Sequence, residues 1–195
     1  MTDSLARRKL ASAAARLNAS HRMSGLLPPL VLMTDDERLA DPLAAARALP
    51  RGSMVVVRSR DGARRAELAR AMQTLSALIV LVADDQELAA GADGLHLPER
   101  RAGEAAHWRA RHPRWIITAA AHGPRGSDAN LDALFLSPVF VTASHPERAA
   151  LSAVRANAIA RGLSTPVYAL GGIDAGNARL LNGFVGIAAI GALAV

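Results

Sequence analysis

The chain has 195 residues and no cysteine. This excludes structural disulfides, a thiolate nucleophile and cysteine-based zinc sites, and it fits a cytoplasmic protein. Aromatic residues are nearly as scarce. Two Trp, one Tyr and three Phe offer no platform on which nucleic-acid bases could stack. No apolar run reaches the ~18–20 residues needed to span a bilayer. Neither a nucleic acid nor a membrane is therefore expected as a partner. Lysine is almost missing as well: Lys9 stands alone, and arginine supplies the rest of the 23 basic side chains behind a formal net charge of +6. The arginines are dispersed among Asp and Glu, which reads as a solvated surface rather than a polyanion-binding stripe.

What is present is aliphatic. Hydrophobic residues make up 51% of the sequence, and a chain of this length buries a full core as one domain. Residues 1–25 read as a basic N-terminal helix and turn. Leu5, Leu10, Ala13, Ala14 and Leu17 fall near one helix face, with Arg7, Arg8, Lys9 and Arg16 mostly elsewhere. A transit peptide shares this composition, but Asp3 in the first turn favours a structural helix, closed by a turn at Ser24-Gly25.

Residues 26–195 alternate short aliphatic runs with amphipathic stretches, the pattern of βα units. Eight strands are predicted, at 30–34, 54–58, 78–82, 94–97, 115–119, 133–137, 167–170 and 184–188. Helices are predicted at 42–49, 62–75, 85–90, 102–111, 148–161 and 175–181; the stretch 124–130 is too broken by Gly and Pro for a good one. Asp41-Pro42 supplies an N-cap and a proline at the first helical position. Gly162 marks a helix end, and Asp174 can cap the helix after the seventh strand. The strands are continuously apolar rather than alternating, which points to a parallel sheet covered by helices. The predicted fold is α/β, a small single-domain (β/α)8 TIM barrel with an extra N-terminal helix; an open doubly wound sheet is the alternative. The chain stops too soon after the eighth strand for a last helix, so the N-terminal helix is expected to cover that gap.

Such barrels place ligands at the C-terminal ends of their strands, with phosphate often held after strands seven and eight. Gly171-Gly172, directly after the seventh strand, lets the backbone approach an anion with no Cβ in the way. Gly191, after the eighth, can complete the cradle. Arg58 at the end of the second strand points to an anion or to an ion pair with Asp84. Asp35 and Asp36 read as turn and cap chemistry. His122 is the acid/base candidate, because histidine titrates near neutral pH. His96 reads as a barrel-packing residue.

Five blocks carry a resemblance to a known family: GADGLHLPER (91–100), IITAAAHG (116–123), LDALFLSPVFVTASHP (131–146), TPVYALGGI (165–173) and the closing GFVGIAAIGAL. Together they resemble thiamine phosphate synthase and its relative, thiazole tautomerase, and the similarity runs from about Pro29 to the C-terminus. The resemblance implies a (β/α)8 barrel in thiamine biosynthesis that binds a small-molecule thiazole phosphate. One branch of the family condenses it with a pyrimidine pyrophosphate, using Mg²⁺ to neutralise the leaving group. The other moves the proton that aromatises the thiazole, through a histidine that His122 resembles. A non-catalytic phosphate-ligand binder or sensor derived from the family is the alternative, and a homodimer is compatible with the sequence.

The departures fall mostly on the pyrophosphate side. The family's Gln, Arg and Lys on the second strand are here Val56, Arg58 and Arg60. Its Asn-Asp after the third strand is Ala83-Asp84, which keeps one metal-binding carboxylate. The second, after the fourth strand, is replaced by Arg101, with Glu99 the nearest substitute, or with Arg101 itself contacting phosphate. A serine after the fifth strand is Ala120. After the sixth, Thr-x-Thr-Lys becomes Thr142-Ala-Ser144-His145. The resemblance thus implies Arg58, Arg60, Thr142, Ser144, His145, Gly171, Gly172 and Gly191 as phosphate or substrate contacts, and a weakened Mg²⁺ site at Asp84.

Overall fold

A computed structural model describes residues 2–22, 25–124, 126–142 and 149–195. Eight parallel strands close into a barrel in sequence order. They are β1 (Leu30–Met33), β2 (Met54–Val57), β3 (Ile79–Ala83), β4 (Gly94–Leu97), β5 (Ile116–Ala121), β6 (Ala133–Leu136), β7 (Val167–Leu170) and β8 (Gly186–Ala189). Closure is made by β1 pairing with β8, Val31 opposite Ala188. All eight predicted strands are present, with ends shifted by up to two residues. The fifth runs on through Ala120 and Ala121, which pair with Phe135 and Leu136; small side chains hide strand character that the ladder supplies.

Continuous apolar strands make sense because both faces are buried. Val31, Met54, Val56, Leu81, Phe135 and Tyr168 fill the barrel interior. Their neighbours Leu30, Leu32, Val55, Val57 and Val80 belong to the layer beneath the helices. The helices are α1 (Thr2–Ser20), α2 (Pro42–Arg47), α3 (Gly62–Gln73), α4 (Gln86–Ala89), α5 (Ala105–Arg111) and α6 (Ala153–Gly162). Asp41, Asp61 and Asp85 each accept a backbone N–H in the first turn of α2, α3 and α4, which satisfies one otherwise orphaned donor per helix.

Among the described residues a 3₁₀ turn, Gly191–Leu193, is the element that follows β8, and α1 packs against β1, β8 and that turn. Leu10, Ala13, Ala14 and Leu17 are buried there, whereas Leu5 stays half-exposed. The apolar stripe meets the barrel only from Leu10 onward. Buried Asn18 fastens the helix, its Nδ2 donating to Leu27 O at 3.0 Å and to Val185 O at 2.9 Å. No helix among the described residues is long and apolar enough to cross a membrane.

Three helix predictions are corrected. The helix predicted over 148–161 is α6, which begins only at Ala153; residue 148 lies outside the described residues. The stretch 175–181 holds only a 3₁₀ turn at Ala178–Leu180. Asp174 Oδ1 accepts from Gly176 N at 2.7 Å and Asn177 N at 2.9 Å, while Asn177 Nδ2 donates to Gly172 O at 2.8 Å. These polar side chains compete for the backbone groups a helix would use. The stretch 102–111 begins inside a 3₁₀ segment, Glu99–Glu104, which continues into α5.

Candidate active site

Side chains at the C-terminal ends of β2, β4, β5, β6 and β7 line a cavity of about 340 Å³, including Arg58, His96, His122, Ser137 and Leu170. Arg58, His122, Ser137 and Leu170 also line a second hollow of about 300 Å³, which adds Arg38, Thr142 and Gly171. A third, of about 180 Å³, is bounded by Arg38, Thr142, Gly171, Gly172 and Gly191. The shared walls make one trench. It runs from the centre of the barrel mouth to the glycines after β7 and β8.

The structure brings Arg58, His122, Thr142, Gly171, Gly172 and Gly191 to this trench. Arg60 is elsewhere: its side chain is 88% exposed and paired with Glu37 at 3.2 Å. Ser144 and His145 lie outside the described residues. Among the described residues, the amides of Gly171, Gly172, Gly191 and Ala192 donate to no backbone carbonyl.

The two glycines at the turn have a reason beyond ligand access. Gly171 and Gly172 sit at φ +95° and +64°, in the left-handed region. A Cβ on Gly172 would stand 2.4 Å from Val141 O and 2.8 Å from Phe140 O. The turn is packed tightly on the chain leaving β6, and Phe140 N donates to Gly171 O at 3.0 Å. At Gly191 a Cβ would meet nothing within 4 Å.

His122 is clamped by Glu99. Its ring Nδ1 lies 2.7 Å from Glu99 Oε2, and its backbone N–H donates to Oε1 at 3.1 Å. Such a carboxylate fixes the tautomer and steadies the imidazolium once a proton arrives. It leaves Nε2 as the ring nitrogen for exchange with a ligand. This pairing was not legible in the sequence, which offered Glu99 as a substitute metal ligand.

Asp84 is the other departure. Its backbone adopts φ +55°, a conformation Asp tolerates better than most residues. Arg101 Nη1 donates to Oδ1, and Arg100 Nη2 to Oδ2 at 3.0 Å. The remaining edge of Arg101 is spent on Glu104, Nε to Oε1 at 2.8 Å and Nη2 to Oε2 at 2.7 Å. That pairing, helped by Trp108, holds the Glu104 carboxyl down at about 2. Arg101 is therefore structural and not aimed at a phosphate. Among the described residues no cluster of three or more His, Cys, Asp or Glu could hold a metal ion. One carboxylate gripped by two guanidiniums does not fit Mg²⁺, which requires oxygen ligands in a near-octahedral set. Two unit charges of like sign ~4 Å apart repel by about 4 kcal/mol near a protein surface.

Arg58 does not pair with Asp84. Its Nη2 donates to Asp35 Oδ2, the oxygen that also accepts from Arg38 Nη2 at 2.6 Å. Asp35 Oδ1 accepts from Arg38 Nε at 3.1 Å and closes the expected turn by accepting from the backbone N–H of Glu37 and Arg38. Partial burial alone would raise the Asp35 carboxyl, but the bonds from Arg38 outweigh it and hold the group well below the usual carboxylate range. Arg38 escaped the sequence reading. The only signal was its position three residues after an aspartate at a strand end.

His96 forms part of the cavity floor, buried, with Nδ1 2.9 Å from Thr118 Oγ1 and its ring edge-on to Phe135. Burial, aided by the charge of Arg58 and opposed by Asp84, pushes the imidazole down to about 4 from 6.5. Between those values the unfolded chain binds a proton that the folded chain refuses. Stability should fall as pH drops from 6.5 towards 4, by about 3 kcal/mol in total. Urea midpoints measured across that range would show it. His96→Asn, which keeps a polar partner for Thr118, should flatten the slope, and equal slopes in the two proteins would refute the assignment.

Fold and trench together define a (β/α)8 barrel with a ligand-sized site at the C-terminal ends of its strands. The sequence model described as thiamine monophosphate synthase (TMP-TENI) matches residues 30–193. A curated protein of Aquifex aeolicus (strain VF5), named "Putative thiamine-phosphate synthase 2", is 31% identical over 180 residues, spanning 84% of this chain and 96% of that one. A solved structure, thiamine phosphate pyrophosphorylase from Pyrococcus furiosus, superposes with a TM-score of 0.65 over 83% of this chain and 84% of its own, at 22% identity, a likeness of fold. The chain belongs to the thiamine monophosphate synthase family.

Proposed function

We propose that the chain is an enzyme of thiamine biosynthesis that binds a thiazole phosphate along the trench and moves a proton on its ring, with His122 as the acid/base. The observation that carries this reading is the His122–Glu99 pair beside the cavity. It is a ready proton-transfer dyad, and it uses the carboxylate that would otherwise be nearest to a metal role. The phosphate is assigned to the glycine end, where amides of Gly171, Gly172 and Gly191 supply donors. The ring then lies towards His122. Neutral His122 takes a proton from the non-aromatic tautomer at Nε2, Glu99 stabilises the resulting imidazolium, and the same nitrogen returns a proton at the second position. Nothing leaves and nothing is oxidised, so no pyrophosphate charge has to be neutralised.

Condensation, by contrast, needs cationic help for a departing pyrophosphate. Here Asp84 is bound by Arg100 and Arg101, and Arg60 faces solvent. Two assays separate the branches. The thiazole tautomer phosphate should be aromatised at the same rate with EDTA and with Mg²⁺. The aromatic thiazole phosphate plus the pyrimidine pyrophosphate and Mg²⁺ should give no thiamine phosphate. Mg²⁺-dependent formation of thiamine phosphate would overturn the proposal, and saturable binding without turnover would make the chain a binder or sensor.

A further inference from the structure

Resting on that reading, we infer that Arg38 is the charged ligand of the phosphate at the glycine end of the trench, and that Asp35 is the positioning residue that ties it to Arg58. Backbone amides alone bring only partial charges to a phosphate that carries one to two negative charges near neutral pH. A built cradle for it calls for a full positive charge, and the sequence has His145 where the family places a lysine after the sixth strand. Among the described residues bounding the glycine hollow, Arg38 is the only one with a charged side chain. It also lines the middle hollow beside Arg58 and His122. Its side chain therefore stands at the junction between the proposed phosphate end and the reacting end.

Asp35 sets that position. It grips Arg38 through both carboxylate oxygens and through the backbone N–H of Arg38, while also accepting from Arg58. One carboxylate thus fixes two guanidiniums at the trench wall, and the trio carries a net charge of about +1. An arginine fork is suited to meet a phosphate oxygen while keeping contact with its carboxylate. Because the two arginines share Asp35, moving Arg38 onto a phosphate alters the grip on Arg58. Occupancy of the cradle is thereby linked to the cation beside the ring.

The test compares binding of the aromatic thiazole phosphate and of its phosphate-free alcohol by calorimetry at one ionic strength. Wild type should prefer the phosphate. Arg38→Ala should weaken phosphate binding by about tenfold to a hundredfold and leave the alcohol unchanged; Arg38→Lys should restore part of the loss. Asp35→Asn should cause a smaller loss that disappears in the Arg38→Ala background, the coupling expected if Asp35 acts through Arg38. Full phosphate preference in Arg38→Ala would overturn this inference and leave the functional proposal standing. An Asp35→Asn loss undiminished without Arg38 would overturn the positioning role. A wild type that does not prefer the phosphate would overturn both. Loss of alcohol binding together with phosphate binding in Arg38→Ala would assign Arg38 to the shape of the trench and also refute the inference.

Discussion

Replacing His122 with alanine is expected to slow aromatisation of the thiazole tautomer by about 10²–10⁴-fold, the usual contribution of a positioned acid/base, while leaving affinity for the thiazole phosphate nearly unchanged. His122 lines both the mouth cavity and the hollow that leads to the glycines, and Glu99 holds one ring nitrogen at 2.7 Å. Glu99→Gln keeps a hydrogen-bonding partner but removes the charge that stabilises the imidazolium. Its loss should be smaller than that of His122→Ala and should appear in kcat rather than KM. Combining the two changes should add little, because they act as one unit. Unchanged turnover in His122→Ala would remove the histidine from the chemistry.

Gly172→Ala should lower stability by about 3 kcal/mol, roughly 6–12 °C in Tm for a chain of this size. A side chain at φ +64° is strained in itself, and the new Cβ would meet two carbonyl oxygens, Val141 O and Phe140 O, at 2.4 and 2.8 Å. Those atoms are backbone and cannot swing aside as a flexible side chain would. Gly191→Ala should leave Tm unchanged, since its Cβ enters open space. The contrast matters for interpreting ligand binding. Failure of Gly172→Ala to bind a phosphate would report on the packing between the β6 and β7 ends, whereas a bulky residue at Gly191 tests the cradle itself with the fold intact. Equal Tm values for Gly172→Ala and wild type would contradict the packing account.

The barrel was legible because its strands are buried on both faces and read as plain aliphatic runs. The glycine turn after β7 was legible because backbone that must curve left-handed, as at Gly171 and Gly172, leaves glycines in the sequence. Helix content after β7 was not, because it turned on Asp174 and Asn177 capturing nearby backbone groups, a local competition that periodicity does not display. The rim was hardest. Arg58 could be placed at a strand end, but its partner depended on how the chain folds back after β1, and Asp35 rather than Asp84 lies there. Glu99 and His122 come from different strand ends, and the contact between them is a product of the register in which β4 pairs with β5. Arg101 shows the same limit: the sequence showed a charge of the wrong sign for a metal site, and only the structure shows that charge spent on Asp84 and Glu104.

A crystal structure of the protein with the aromatic thiazole phosphate, grown in EDTA, tests the account most directly. It should show the phosphate against the amides of Gly171, Gly172 and Gly191 with Arg38 alongside, and the ring within hydrogen-bonding reach of His122 Nε2. Phosphate density at Arg58 and Asp84 with the glycine hollow empty, or a ring turned away from His122, would contradict it.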